Sequence, residues 1–254
     1  LESMGNYKVL ACDTDSLAIA RVDGGAITEP DIAEIRARIN SSYSQFVERY
    51  SISEHIFSLE VDKIYRKAFF GQAKKRYAGH VIYQDGQKAD YLQVVGFEVR
   101  RSDSSHVSRD IQGDIFEMLL RQDKSKEEII LYISDKIREI WGGTYNLEDL
   151  GIPKGISRDL DEYVVEPANI RGAKYARDVL KLQLSNKPKM VYIKNMPGGY
   201  PTTDVICYDE PFQIPPGVEV DIEKMLDKTI RAKLERIFEA LGWDIGELRR
   251  GWNS

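Results

Sequence analysis

The rhythm of apolar and polar positions divides the chain near residue 100. Tyr7–Leu10 and Leu17–Val22 are apolar runs flanking a polar Asp13-Thr14-Asp15-Ser16 tip, the pattern of two strands joined by a tight acidic turn. From Pro30 to about Tyr50, Ile32, Ile35, Ile39, Tyr43, Phe46 and Val47 recur at helical spacing, with Asp31 in the first turn. Ile56–Tyr65 and Lys67–Tyr83, rich in β-branched and aromatic residues, predict a strand meander that ends at the Gln84-Asp85-Gly86-Gln87 turn, with Tyr91–Val99 as a further strand. Beyond Arg101 the period lengthens. Helices are predicted over Val107–Arg121, Lys126–Trp141 and Pro167–Leu182, and short strands over Met190–Lys194 and Thr203–Tyr208. Asp221–Leu241 carries the strongest amphipathic stripe, from Ile222 and Met225 to Phe238 and Leu241. The fold class is therefore α+β, a sheet-rich first part followed by a helix-rich second part.

At 254 residues with 42% hydrophobic content the chain has enough apolar material for one large domain or two smaller ones, so wholesale disorder is excluded. No run reaches the roughly 18 apolar residues of a membrane span, and no signal-peptide pattern opens the chain. Cys12 and Cys207 are too few for a disulfide framework and lack metal-ligand spacing, which points to a reducing cytoplasm. The net charge of −5 does not exclude a nucleic-acid partner, because phosphate binding needs only a local basic stripe.

Three local features stand out. Asp13 and Asp15, two residues apart on a tight turn, can converge on one hard cation of the Mg²⁺ kind, which takes one or two protein carboxylates and leaves sites for phosphate oxygens. Glu60 and Asp62 alternate along Phe57–Asp62, which as a strand would put both on one face. Lys74-Lys75-Arg76-Tyr77 places three consecutive cations, which repel one another unless an anion is near, beside an aromatic that hydrogen-bonds or stacks. Taken singly, an Asp-rich turn and a three-residue basic run are ordinary solvated surface.

Their order along the chain is more specific. Residues 1–10 leading into Cys12-Asp13-Thr14-Asp15-Ser16-Leu17 closely resemble motif C of family B DNA polymerases, in which a helix end and an apolar strand precede an Asp-Thr-Asp-Ser tip. Ala11 and Cys12 stand where that family commonly has Tyr and a small residue. Lys74–Tyr77 matches the family's basic motif that holds the primer–template duplex, and Gly96–Asp103 resembles its palm–thumb junction, with Ser102 in place of a second Arg. Ile156–Tyr163 and Pro167–Ala176 resemble its thumb. The resemblance covers almost the whole chain.

It implies a partial palm with an antiparallel sheet and helices over residues 1–101 and a mostly helical thumb over 102–254. Asp15 would be the principal metal ligand, Asp13 a supporting carboxylate and Glu60 an accessory one, for two Mg²⁺ ions in the assembled active site. Thr14, Lys74, Lys75, Arg76 and Tyr77 would meet DNA, as would Arg158, Asn169, Arg171 and Lys174 through a helix start suited to anions. Arg101 would either contact DNA or lock the junction through Asp103.

The same resemblance exposes an absence. The chain holds neither the motif A aspartate run nor the motif B Lys/Tyr helix. The expectation is thus the small subunit of a split archaeal polymerase, or the C-terminal piece of a longer one. Its partners would be primer–template DNA, deoxynucleoside triphosphates and a large subunit or N-terminal portion that supplies motifs A and B, in a nucleoid-associated cytoplasmic setting. Glu247–Trp252 lacks the glutamine and paired aromatics of a clamp-binding peptide, so a sliding clamp has no motif to carry it. The Ala11-Cys12 and Ser102 departures motivate the alternative of a non-catalytic DNA-binding or scaffolding subunit. An unrelated Mg²⁺ protein would leave the ordered downstream motifs unexplained.

Overall fold

The computed structural model describes residues 5–251, so the helix end expected at residues 1–4 and the Trp252 end of the terminal segment lie outside the described residues. Packing divides them into two compact units, one of residues 5–70 and 79–93, the other of residues 71–78 and 94–251.

In the first unit, β1 (Tyr7–Asp13) and β2 (Ser16–Arg21) form an antiparallel hairpin, and α1 spans Glu29–Glu48. The helix starts where it does because Thr28 and Asp31 cap it reciprocally, with Pro30 pre-set for the first turn. Asp31 also ties hairpin to helix. The Tyr7 hydroxyl donates to it at 2.5 Å, and Arg21 pairs with it at 3.3 Å. The meander follows as β3 (Lys63–Phe70), β4 (Tyr77–Gln84) and β5 (Gln87–Val95), with β4 central and Asp85-Gly86 at the turn between β4 and β5. The unit boundary crosses β4 and β5.

Two expected strands are corrected. Residues 52–62 are not strand, because among the described residues none runs beside them to complete a ladder. In place of a neighbouring strand, the Asn40 side chain takes both backbone groups of Leu59, accepting from its N–H at 2.7 Å and donating to its carbonyl at 3.1 Å. The strand predicted over Tyr91–Val99 ends at Val95, where Gly96 at φ +74° turns the chain into a 3₁₀ turn over Glu98–Arg100.

The second unit carries α2 (His106–Leu120) and α3 (Lys126–Trp141), started by Ser105 and by a Ser125–Glu128 capping box. α3 buries Ile129, Ile133, Ile137 and Ile140, and α2 buries Ile111, Ile115, Phe116 and Leu120. After a short α4 (Leu147–Leu150), β6 (Ile152–Pro153), β7 (Lys189–Asn195) and β8 (Val205–Tyr208) pair antiparallel in that order. β9 (Glu219–Val220) pairs with the far end of β7. α5 (Ala168–Asp178) lies on β8, where Gly172 admits the Cys207 backbone so closely that an added Cβ would sit 3.1 Å from its nitrogen. α5 stops four residues short of the predicted Leu182, since the chain leaves the helix through Lys181 at φ +59°. The helix-rich half thus has a fully buried sheet strand, Val205–Tyr208, at its centre. The last amphipathic stretch is α6 (Ile222–Leu226), a π turn over Asp227–Arg231 and α7 (Ala232–Leu241), closed by Gly242 in the left-handed conformation. α2 secures that π turn. Ser108 donates to the Thr229 carbonyl within it at 2.5 Å, and Gln112 to the Lys233 carbonyl just beyond it at 2.8 Å.

Candidate functional site

The acidic tip is a two-residue hairpin loop. Asp13 faces Ser16 across the ladder, which leaves Thr14 (φ +35°) and Asp15 as the loop. The Ser16 hydroxyl donates to the Asp13 carbonyl at 3.2 Å, and the Thr14 hydroxyl reaches the Asp13 carboxylate at 3.5 Å. Leu10 is an extra residue between the Val9–Ile19 and Ala11–Ala18 pairs, a bulge that increases twist and re-aims the end of the strand. Asp13, Thr14 and Asp15 are all exposed. Two exposed carboxylates on one turn are the kind of donors a Mg²⁺ ion takes while it keeps waters or phosphate oxygens as its other ligands.

A third carboxylate does not join them. Among the described residues no three His, Cys, Asp or Glu side chains lie close enough to hold a metal. Glu60, off any strand, instead pairs with Arg36 of α1 at 3.2 Å and accepts from Ser58 at 3.3 Å. Asp62 pairs with Lys63 at 2.9 Å.

Lys74–Arg76 lie on the loop between β3 and β4, and Tyr77 opens β4. The loop is closed by the Gly71 N–H donating to the Arg76 carbonyl at 2.8 Å. Two glycines let it fold so tightly. A Cβ on Gly71 would stand 3.2 Å from Arg76 Cβ, and one on Gly96 would overlap the Lys75 carbonyl and sit 2.9 Å from Arg76 Cγ. Lys74 and Lys75 consequently face solvent while Arg76 and Tyr77 are half-buried. From the sequence, Gly96 is placed only at the start of the junction motif, although a glycine ending a strand is a signal of close backbone approach.

At the junction, Arg101 donates twice to Asp103, at 2.9 and 2.8 Å, and this holds the Asp103 carboxyl down at about 2 despite its partial burial. Lys187 donates to the Ser102 hydroxyl at 2.7 Å. Of the helix-start candidates, Arg158 is exposed on the loop before the 3₁₀ turn Leu160–Glu162. Asn169, in the first turn of α5, donates to the Gly155 carbonyl at 3.3 Å. Arg171 pairs with Asp204 at 2.6 Å and Lys174 with Glu166 at 2.6 Å. A phosphate on this face competes with those carboxylates for two of its four candidate donors. Asp204 lies 33 residues from Arg171, a separation no local period reveals.

Among the described residues no helix is long and apolar enough to cross a membrane. The sequence pattern of DNA polymerase family B matches residues 2–241. The chain is 28% identical over 259 residues to a DNA polymerase of Archaeoglobus fulgidus, covering 98% of this chain and 30% of that protein. It is 28% identical over 244 residues to DNA polymerase 2 of Aeropyrum pernix, covering 96% and 27%. Over a shorter stretch of 108 residues it is 35% identical to a DNA polymerase of Thermococcus aggregans, covering 42% and 6%. The chain spans less than a third of the length of these relatives. With the acidic hairpin, the basic loop and the junction in the expected order, the chain belongs to DNA polymerase family B.

Proposed function

We propose that this chain is the palm and thumb part, residues 1–101 and 102–254, of a DNA-templated DNA polymerase that works once combined with the part carrying motifs A and B. The observation that carries this reading is the Asp13–Asp15 hairpin tip in a chain of this family. In the assembled enzyme the primer 3′-hydroxyl would attack the α-phosphate of a deoxynucleoside triphosphate. A new O–P bond forms, the α–β bridge breaks, pyrophosphate leaves and the hydroxyl proton passes to solvent. Two Mg²⁺ ions, held by Asp13, Asp15 and an aspartate of the other part, would supply Lewis-acid stabilisation of the developing charge. Lys74, Lys75, Arg76, Tyr77 and Thr14 hold the nascent duplex through backbone contacts that carry no sequence information, as templated synthesis requires. Arg101 belongs to the junction lock with Asp103, while Arg158 and Asn169, with Arg171 and Lys174 after exchange of their ion pairs, serve the duplex downstream.

Apolar side chains left open in the first unit support the need for a complementary part. Ile56 is fully exposed, Tyr50 is 65% exposed and Phe57 is 55% exposed. Exposed side chains of this kind, clustered in one segment of the sequence, fit an interaction surface. The second reading, a DNA-gripping subunit without chemistry of its own, is favoured by the Glu60–Arg36 pair, in which the expected accessory carboxylate already has a cation. Primer extension separates the two. With a family B part that supplies motifs A and B, Asp15→Ala is expected to abolish Mg²⁺-dependent extension and leave duplex binding intact. Undiminished extension by that variant overturns the catalytic reading.

A further inference from the structure

Within the second unit, a cavity of about 230 Å³ is lined by Gly71, Gln72, Arg76, Phe97, Arg236 and Glu239. Arg76 lines it from the basic loop and Arg236 from α7, so two arginines 160 positions apart border one hollow. Among the described residues neither side chain has a hydrogen-bonding or ion-pair partner. Arg121 pairs with Glu117 at 3.1 Å, Lys136 with Glu139 at 3.0 Å, Arg138 with Asp135 at 2.7 Å and Arg231 with Asp227, all at helical spacing. Arg236 has Glu239 at the same i,i+3 spacing and does not close on it.

The fold holds the two cations here. Gly71 and Gly96 pin the Arg76 stem, and the buried Leu234, Ile237 and Phe238 fix the face that α7 turns away from the cavity. Phe97 is buried against Phe116, ring centroids 4.9 Å apart, so one wall of the hollow is apolar and strengthens any charge interaction inside. Two guanidiniums and one carboxylate leave the hollow one positive charge in excess, which complements a single phosphodiester.

We propose that Arg236, with Arg76, forms a phosphate subsite that takes one phosphodiester of the DNA backbone. The site extends the grip of Lys74–Arg76 onto α7, and this rests on the duplex-binding role proposed above. Planar guanidiniums suit phosphate oxygens, for which they offer paired donors.

The test is the salt dependence of binding of the full chain to a fluorescein-labelled primer–template duplex, followed by anisotropy. Removing one phosphate contact makes the slope of log K against log salt shallower by about 0.9 and weakens binding roughly eightfold near 0.1 M salt. Arg236→Ala is expected to do both while melting with the wild type, and Arg236→Lys, which keeps the charge, is expected to restore most of the slope. A wild-type slope in a folded Arg236→Ala variant overturns the subsite and leaves the duplex-binding reading standing. Inorganic phosphate that binds the wild type and not Arg236→Ala, at matched ionic strength and without displacing duplex, overturns it in favour of a free-phosphate site. A wild-type chain with no salt-dependent duplex binding overturns the reading on which the subsite rests.

Discussion

Helices α1 and α3 have similar apolar spacing and opposite fates. α3 buries four of its five isoleucines, at 129, 133, 137 and 140, whereas α1 buries only Ile35 and Val47 and leaves Phe46 half open. The difference runs through the two units. Residues 94–251 enclose Phe116, Ile129, Ile133, Ile170, Tyr208, Met225, Leu226 and Phe238, each at 2% exposure or less, while the first unit buries little beyond Tyr7, Ile35, Val47, Phe69 and Val81. An amphipathic stripe states that a face is to be covered; it does not state by what. In α3 the cover is in the same chain. For α1 and the Ser51–Phe57 segment beyond it, the proposed complementary polymerase part supplies the missing layer.

The sharpest way to break this comparison is a pair of phenylalanine truncations. Phe116→Ala removes a fully buried ring packed at a tilt against Phe97 and is expected to cost about 3–5 kcal/mol. Phe57→Ala, 55% exposed, is expected to stay within about 0.5 kcal/mol in the isolated chain. Urea unfolding of both variants measures the contrast. Phe57→Ala should then lose affinity for the part carrying motifs A and B, and equal costs for the two truncations would show that the first unit has a complete core of its own.

How much could be read beforehand follows the same division. Lys126–Trp141 was legible to the residue, because capping residues and a four-isoleucine stripe agree with one another. The acidic hairpin was legible too, since its register is fixed by a two-residue loop. Phe57–Asp62 was not. Its alternation is that of a strand, but a strand also needs a neighbour, and here Asn40 stands in for one. The Arg171–Asp204 pair and the convergence of Arg76 and Arg236 depend on long-range packing, to which periodicity is blind. Sequence showed which cations were present and not which of them were already spoken for.

An intermediate effect is expected at Gly96, which serves the second unit's hold on the basic loop. At φ +74°, with the Lys75 carbonyl where a Cβ would go, Gly96→Ala combines left-handed strain with overlap, on the order of 1–3 kcal/mol. Because the displaced atoms belong to Lys75 and Arg76, duplex affinity should fall along with stability, read by anisotropy beside thermal melting. Gly113→Ala, whose added methyl meets open space in the middle of α2, is the control and should be neutral or slightly stabilising. A Gly96→Ala variant as stable and as tightly bound to duplex as the wild type would mean that the loop does not depend on this close approach.

The smallest effect belongs to the joint between hairpin and α1, and it is set by pH. Hydrogen bonds from Tyr7 and Thr28, with the Arg21 charge, hold the Asp31 carboxyl well below its ordinary 3.8. A depressed carboxyl contributes stability above the unfolded value and loses it as pH falls from about 4 toward the folded value. The same bond pushes the Tyr7 phenol up to about 12, so its contribution is whole below 10 and fades as pH rises toward 12. The joint is therefore firm between roughly pH 4 and 10 and loosens at both edges. Asp31→Asn is expected to lower the Tm at pH 7, and the gap to the wild type should shrink at pH 3, where the carboxyl is already largely protonated in the unfolded chain and the folded state must hold its charge against that. The whole effect should also diminish in high salt, because the joint is only partly shielded from solvent. A gap of the same size at pH 7 and pH 3 would assign the loss to altered packing and remove the charge from the account of how the first unit, with so little core, keeps its hairpin seated on its helix.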